Sequence, residues 1–335
     1  MTIQVDLSAV WAKAVRAGHI RNRFRDWQGR HIEVGVRLGP DGSPEQYALN
    51  LETGTEIGAA VIERQIAGSG LSVLWNQFRA LKPQVRPAGL GRQADYPPGV
   101  NECFFACQNP AHPLSLLRRD RLVHISLPNE PWAALYNAFP VEKDGHFLWV
   151  PVAIDAAKTG YPHWLQILTK PFVEDFLALG KATSAALTLF NSLHAGASVN
   201  HIHFHTVARR GGVPIEHASA VAVGPYHLLE NYPAMGLLYE EPVDLDAVWK
   251  AIDTLQRQAI PLNLIYTERR LHLFARDIHH EMIEEFPGGV MACMELSGRL
   301  ITTEEHFYAN ADQQLLSRAF RKITLGREAL LKALG

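Results

Sequence analysis

The chain has 335 residues, of which 47% are hydrophobic and 20% are charged, as expected for a globular protein with one large or two modest domains. The net charge of −2 argues against general nucleic-acid binding, and no apolar run of about 18 residues predicts a membrane span. The N-terminus lacks the pattern of a signal peptide, and three cysteines do not make a disulfide framework. We therefore expect a cytoplasmic protein that binds neither nucleic acid nor a membrane.

The first third of the chain predicts one helix, one strand and then an extended connection. Residues 7–17 carry apolar side chains at helical spacing, and the predicted helix stops at Gly18. Residues 32–38 alternate in the manner of a strand. Residues 82–100 contain four prolines, which favour an extended connection to the rest of the chain.

The middle third predicts a sheet with one helix packed on it. Apolar runs at residues 147–152 and 186–190 indicate strands, and Pro171 suits the first turn of a helix that reaches about residue 182. A turn over residues 191–198 precedes strict alternation at residues 199–207, which predicts a further strand. This order favours the α+β class.

The last third repeats this pattern. A helix is predicted over residues 245–258, strands over 262–266 and 271–275, and a closing helix over 312–323. A second sheet, or the second half of one sheet, follows from this order.

Three histidines occupy alternate positions of the strand predicted at residues 199–207. His201, His203 and His205 would project from one face about 6–7 Å apart, with Ile202 and Phe204 turned to the core. Imidazoles in a row suit chemistry at phosphorus. One ring attacks while a backbone carbonyl holds its other nitrogen, and a neighbouring ring donates to a phosphoryl oxygen. A metal-binding strand and a purely structural strand are the alternatives.

The segment around these histidines resembles the motif of the histidine-triad (HIT) superfamily. The residues that carry the resemblance are Gly196-Ala197-Ser198-Val199-Asn200-His201-Ile202-His203-Phe204-His205. The similarity is greatest to the branch with galactose-1-phosphate uridylyltransferase, diadenosine tetraphosphate phosphorylase and GDP-L-galactose phosphorylase. It implies that His203 is the nucleophile, that His201, His205 and Ser198 share the catalytic site, and that Gly196 and Asn191 approach the phosphates.

Weaker similarities to the same branch extend over about residues 100–300. They lie at residues 101–110, 135–148, 163–166, 271–276 and 295–300. The resemblance implies a HIT-like fold, an antiparallel sheet with packed helices in two HIT-like halves. We expect an N-terminal portion at 1–95 packed on the core, a catalytic half at 96–215 and a C-terminal half at 216–335.

A structural zinc site is implied by some relatives. Its ligands here would be Cys103, Cys107, His163 and His201, which suit tetrahedral zinc. The cysteines are spaced Cys-x3-Cys, whereas the zinc-binding relatives use Cys-x2-Cys, so buried structural cysteines are the alternative. His112 and His146 are possible substitute ligands.

The resemblance implies a two-step transfer of a nucleotide through His203 and requires no other cofactor. The expected substrates are a nucleoside diphosphate-sugar or a dinucleoside polyphosphate, with phosphate or a sugar phosphate as acceptor, in a possible homodimer. Candidate substrate-binding or charge-neutralising side chains are Gln166, Lys170, Arg209, Arg210 and Arg276.

Two alternatives to this reaction stay open. Many transferases of the branch have glutamine where His205 stands, and histidine there is common in hydrolytic members, so water could be the acceptor. A metal-dependent protein of another class is the second alternative. A cupin-like site would need a glutamate about four residues after the histidine pair, and no acid occurs before Glu216.

Overall fold

The computed structural model describes residues 4–26, 28–81, 122–137, 139–152, 164–183, 186–208, 211–287 and 289–335. Among these residues, the helices are α1 (Leu7–Arg16), α2 (Gln77–Ala80), α3 (Lys170–Ala182), α4 (Leu245–Arg257), α5 (Cys293–Leu296), α6 (Glu305–Asn310), α7 (Gln313–Ile323) and α8 (Arg327–Leu334). A short 3-10 helix spans Pro214–His217. No helix in these ranges is long and apolar enough to cross a membrane.

The strands of the same ranges are β1 (Arg21–Arg25), β2 (His31–Leu38), β3 (Pro44–Asn50), β4 (Val61–Gln65), β5 (Ser72–Asn76), β6 (Val123–Ser126), β7 (Pro131–Tyr136), β8 (His146–Pro151), β9 (Ala186–Asn191), β10 (Phe204–Ala208), β11 (Ala220–Val223), β12 (Tyr226–Leu229), β13 (Leu237–Glu240), β14 (Leu262–Thr267), β15 (Arg270–Ala275) and β16 (Arg299–Thr302). The predicted strands 32–38, 147–152, 186–190, 262–266 and 271–275 are therefore confirmed.

A ten-stranded antiparallel sheet carries the centre of the molecule. Its strand order is β11-β12-β13-β15-β14-β9-β10-β8-β7-β6. Strands from the middle and the last third of the chain meet where β9 pairs with β14. Helices α3 and α4 contribute Phe176 and Leu255 to the core against this sheet. The predicted α+β fold with an antiparallel sheet and packed helices is confirmed.

Helix α3 fastens the sheet beneath the histidine segment. Thr169 caps its first turn by accepting the Phe172 N–H, next to the proline predicted there. The buried carboxylate of Asp175 accepts the Trp132 indole N–H at 2.9 Å, so this polar group is satisfied inside the core. Phe204 stacks on the Trp132 ring with centroids 4.5 Å apart. The start of β10 is thereby anchored to a rigid aromatic layer.

The histidine strand is shorter than its alternation predicts. It begins at Phe204, and residues 199–203 precede it as irregular backbone. These residues hydrogen-bond to the segment around Gln166 rather than to a neighbouring strand: Ile202 N–H donates to the Trp164 carbonyl and His203 N–H to Gln166 Oε1. The prediction that Ile202 and Phe204 face the core is confirmed, since both are buried there.

The N-terminal elements form two smaller sheets beside the central one. Strands β1, β2 and β3 make one, and β5 lies between β4 and the C-terminal strand β16 in the other. The pairing of β5 with β16 is parallel, with Ser72 opposite Arg299. Helices α1 and α7 confirm the helices predicted over residues 7–17 and 312–323. Because α2 follows β5 directly, this arrangement brings α2 to the histidine segment.

Candidate active site

The histidine segment opens into a cavity of about 330 Å³. The cavity lies between the start of β10, the end of β9, the loop that joins β7 to β8, helix α2 and the residues around α5. His203 and His205 both line it, with ring centroids 5.0 Å apart. The volume is in the range typical of small-molecule sites.

The backbone fixes the tautomer of His203. The residue is only 4% exposed, and its Nδ1 lies 2.7 Å from the His201 carbonyl oxygen. A carbonyl oxygen only accepts, so Nδ1 carries the proton and donates it. In the neutral ring Nε2 therefore holds a lone pair, which is what a nucleophile requires.

Gln166 holds the backbone of His203 from behind. Its Oε1 accepts the His203 N–H at 2.9 Å, and its Nε2 donates to the carbonyls of Asn191 at 2.8 Å and His203 at 3.3 Å. The side chain is buried and does not line the cavity. The predicted substrate-binding residue thus lies where it positions the nucleophile.

His205 takes part in a chain of hydrogen bonds that sets its own tautomer. The Val141 N–H donates to Nδ1 of His146 at 3.2 Å, so the proton of the neutral His146 ring lies on Nε2. That Nε2 is 3.0 Å from His205 Nδ1 and donates to it. The proton of a neutral His205 is consequently on Nε2.

His146 stays neutral in this chain. Burial, aided by the nearby charge of Arg79, lowers the pKa of His146 to about 3. The Asn137 amide nitrogen lies 3.2 Å from His146 Nε2, but it faces an N–H in this tautomer and only contacts it. Both ring nitrogens of His146 are therefore engaged, which does not fit the predicted substitute role as a zinc ligand.

The turn before the triad brings Gly196, Ser198 and Asn191 to the same cavity. Gly196 has φ +102°, and a Cβ built there would lie 2.5 Å from the Ala292 Cβ, so only glycine fits. Its N–H donates to Glu281 at 3.3 Å. Ser198 is exposed at the cavity.

Asn191 is oriented by two donors. Its Oδ1 accepts the Asn263 amide at 2.7 Å and the Cys293 N–H at 3.0 Å. Since the oxygen is engaged, Nδ2 is the part of this side chain that can donate to a ligand.

Arg276 lies behind the cavity rather than in it. The residue is 1% exposed, and its guanidinium donates to the Asn263 side-chain oxygen and the Met291 carbonyl, both at 2.7 Å. Burial lowers the pKa of Arg276 to about 10. It reaches the cavity only through Asn263, which in turn holds Asn191.

The remaining predicted cations and ligands lie elsewhere. Lys170 pairs with Asp246 at the surface end of α3. Six of the predicted site residues lie outside the described residues: Arg209, Arg210, Cys103, Cys107, His112 and His163. His201 is buried and does not line the cavity. Among described residues, no three His, Cys, Asp or Glu side chains group to hold a metal. Zinc stays a prediction.

Two charged residues of the cavity were not predicted. Arg79 comes from α2, and Glu295 comes from α5. Glu295 accepts the Ala292 N–H at 2.8 Å and the Ile301 N–H at 3.3 Å, and burial raises its pKa to about 7. Arg79 belongs to no segment that the sequence singles out, whereas Glu295 begins the weak similarity at residues 295–300, which assigned it no role.

Comparison with known proteins finds similar sequences over part of the chain. A family model described as GDPGP1-like, C-terminal domain, matches residues 216–332. GDP-L-galactose phosphorylase 2 of Arabidopsis thaliana is 25% identical over 223 residues, which are 60% of this chain and 49% of that protein. GDP-L-galactose phosphorylase 1 of the same plant is 25% identical over 225 residues, 60% of this chain and 48% of that protein. The chain spans about half the length of these relatives.

The fold is similar to a solved phosphorylase. Yeast Ap4A phosphorylase Apa2 matches with a TM-score of 0.54 and 14% identity over 96% of this chain and 98% of that one. Its complex with Ap4A gives a TM-score of 0.53 and 14% identity over 80% and 90% of the two chains. The fold and these matches confirm the resemblance of the chain to the histidine-triad superfamily, in its branch of nucleotide phosphorylases.

Proposed function

We propose that the protein moves a nucleoside monophosphate from a nucleotide with a pyrophosphate-type linkage to an acceptor, through a covalent bond to His203. The observation that carries the proposal is the hydrogen bond from His203 Nδ1 to the His201 carbonyl, which leaves a lone pair on Nε2 of a ring that lines the cavity. The alternative roles of the segment, metal binding or structure alone, do not need this tautomer.

In the first step, Nε2 of His203 attacks the α-phosphorus, and the bond from phosphorus to the leaving oxygen breaks. The ring keeps its Nδ1 proton and becomes positively charged, which the His201 carbonyl stabilises. The leaving group departs as a phosphate anion and takes no proton. Nε2–H of His205 donates a hydrogen bond to the phosphoryl or the leaving oxygen.

In the second step an acceptor oxygen attacks the same phosphorus, and the electron pair of the N–P bond returns to Nε2 of His203. With inorganic phosphate the product is a nucleoside diphosphate. Phosphate as the acceptor is supported by the names of the similar proteins, which are GDP-L-galactose and Ap4A phosphorylases. A nucleoside diphosphate-sugar or a dinucleoside polyphosphate is accordingly the proposed substrate, and water is the competing acceptor.

The experiment offers GDP-sugars, UDP-sugars and dinucleoside polyphosphates to the purified protein, with and without inorganic phosphate. We expect a mass increment of one nucleoside monophosphate without phosphate, and a nucleoside diphosphate product with it. Release of the monophosphate at the same rate under both conditions would instead assign hydrolysis.

The matched pair of variants is His203→Ala and His124→Ala. His124 is an exposed histidine of β6 in the same sheet and does not line the cavity. The adduct should disappear only in His203→Ala. Activity that follows metal content, with no adduct on any substrate, would overturn the proposal.

A cytoplasmic location, a homodimer and a structural zinc complete the proposal. The net charge of −2 and the three cysteines support an intracellular enzyme whose partners are small nucleotides rather than nucleic acid or a membrane. Light scattering on the purified chain tests the dimer. Metal analysis of the same sample, in wild type and in Cys103→Ser, tests the zinc.

A further inference from the structure

The charge balance of the cavity singles out one residue. A nucleotide brings negative charge on each phosphate, and phosphoryl transfer is catalysed mainly by positioning and charge neutralisation. Among the described residues that line the cavity, Arg79 is the only arginine or lysine, and Glu295 is the only residue with a carboxylate. The predicted cations Lys170 and Arg276 do not line it.

Among the described residues, the guanidinium of Arg79 has one hydrogen-bond acceptor. Helix α2 is capped by Asn76, whose Oδ1 accepts the backbone N–H of Arg79 at 3.3 Å. The guanidinium donates from Nη1 to the Phe139 carbonyl at 2.8 Å. A guanidinium has five N–H donors in a planar fork, so this bond orients the group and leaves others for a ligand.

Among the residues that the structure describes, no carboxylate forms an ion pair with Arg79. Glu295 of the same cavity acts on Arg79 through its charge. Burial accordingly lowers the pKa of Arg79. A partly desolvated cation of this kind is stabilised by an anion that enters the cavity.

Arg79 is also tied to the histidine relay. The residue that it holds, Phe139, donates its N–H to Asn137 Oδ1 at 2.9 Å, and the Asn137 amide contacts His146. The charge of Arg79 adds to the burial that lowers the pKa of His146 and opposes the burial that raises the pKa of Glu295. The guanidinium therefore acts on the same small volume as the triad.

We propose that Arg79 binds the phosphate groups of the nucleotide that reacts with His203, and that it is a further catalytic residue of this site. This inference rests on the proposed function above. It gives the anion-binding role to the N-terminal portion of the chain. The competing role is structural, with Arg79 acting only as a brace for the Phe139 carbonyl.

The test compares Arg79→Met and Arg79→Lys with Arg64→Met. Arg64 is the matched control, since it donates to the carbonyls of Tyr308 at 2.6 Å and Ala311 at 2.7 Å and does not line the cavity. The readout is the rate at which the nucleotide adduct forms on the enzyme, measured on a rapid-quench timescale beside the thermal midpoint.

We expect Arg79→Met to slow adduct formation by about 100-fold, in the range for loss of one preorganised charged donor. Arg79→Lys should lose about 10-fold, because it keeps the charge but not the fork. Added guanidinium ion should restore part of the rate in Arg79→Met. Arg64→Met should form the adduct at the wild-type rate in its folded fraction.

An adduct rate of wild-type size in folded Arg79→Met overturns the inference and leaves the proposed function intact. If Arg79→Met does not fold, a wild-type rate in Arg79→Lys overturns it in the same way. Absence of an adduct in the wild-type protein with every nucleotide overturns the proposed function itself.

Discussion

His146 Nε2 donates to His205 Nδ1 across 3.0 Å, and the Val141 N–H fixes the direction of that bond. The two histidines lie on the paired strands β8 and β10, and their distance in sequence is 59 residues. A backbone N–H in the β7–β8 loop thus determines which nitrogen of a neutral His205 carries the proton.

The first prediction concerns this relay. His146→Leu removes the donor to His205 Nδ1, so His205 loses the hydrogen bond that fixes its tautomer. We expect the rate of adduct formation to fall by about 10- to 100-fold, as for the loss of an orienting group. His227→Leu is the control, because His227 is an exposed histidine of β12. Equal rates in both variants would contradict the relay.

The second prediction concerns stability in acid. Burial lowers the pKa of His272, in β15, to about 3. Because the unfolded ring has a pKa near 6.5, the unfolded state binds the proton first as pH falls. The contribution of neutral His272 to the free energy of unfolding is fully present above a pH of about 6.5. It is lost as the pH falls toward 3, with about 2 kcal/mol lost by pH 5.

Urea unfolding at pH 7.5 and pH 5.0 checks this. His272→Leu has no ring to protonate, so its stability should fall by about 2 kcal/mol less than that of the wild type between the two values. Its adduct rate should be unchanged, since His272 does not line the cavity. The same acid loss in wild type and His272→Leu would exclude His272 as its source.

The features of this site that rest on contacts between residues close in sequence could be predicted, and those that rest on contacts between distant residues could not. Period-two alternation correctly predicts that Ile202 and Phe204 face the core. It cannot predict that the strand starts only at Phe204, because the preceding residues bond to Gln166 and its neighbours, which are distant in sequence. Arg79 could not be predicted either, since β5 reaches the site by pairing with β16 more than 200 residues later.

The third prediction concerns Gln166. Gln166→Leu leaves the His203 N–H and the Asn191 carbonyl without their buried partner, which should lower the free energy of unfolding by about 2–3 kcal/mol. Since the loss also loosens the nucleophile, kcat should fall more than KM rises. A KM effect alone would return Gln166 to the substrate-binding role predicted from sequence.

The fourth prediction compares two glycines with positive φ. At Gly196 (φ +102°) a methyl group meets Ala292 at 2.5 Å, whereas at Gly224 (φ +59°) it meets nothing within 4 Å. Both alanine variants lose about 1–2 kcal/mol from backbone strain. Only Gly196→Ala should also lower the adduct rate, because its clash displaces the cavity wall. Unfolding curves and adduct rates separate the two effects.

The most direct test of the central claim is to locate the nucleotide on the protein. The wild-type enzyme is mixed with substrate without phosphate, quenched in alkali to preserve an N–P bond, digested and mapped by mass spectrometry. The account predicts one nucleoside monophosphate on the peptide with residues 199–208, at His203. An adduct on His201, on His205 or outside this peptide would contradict it.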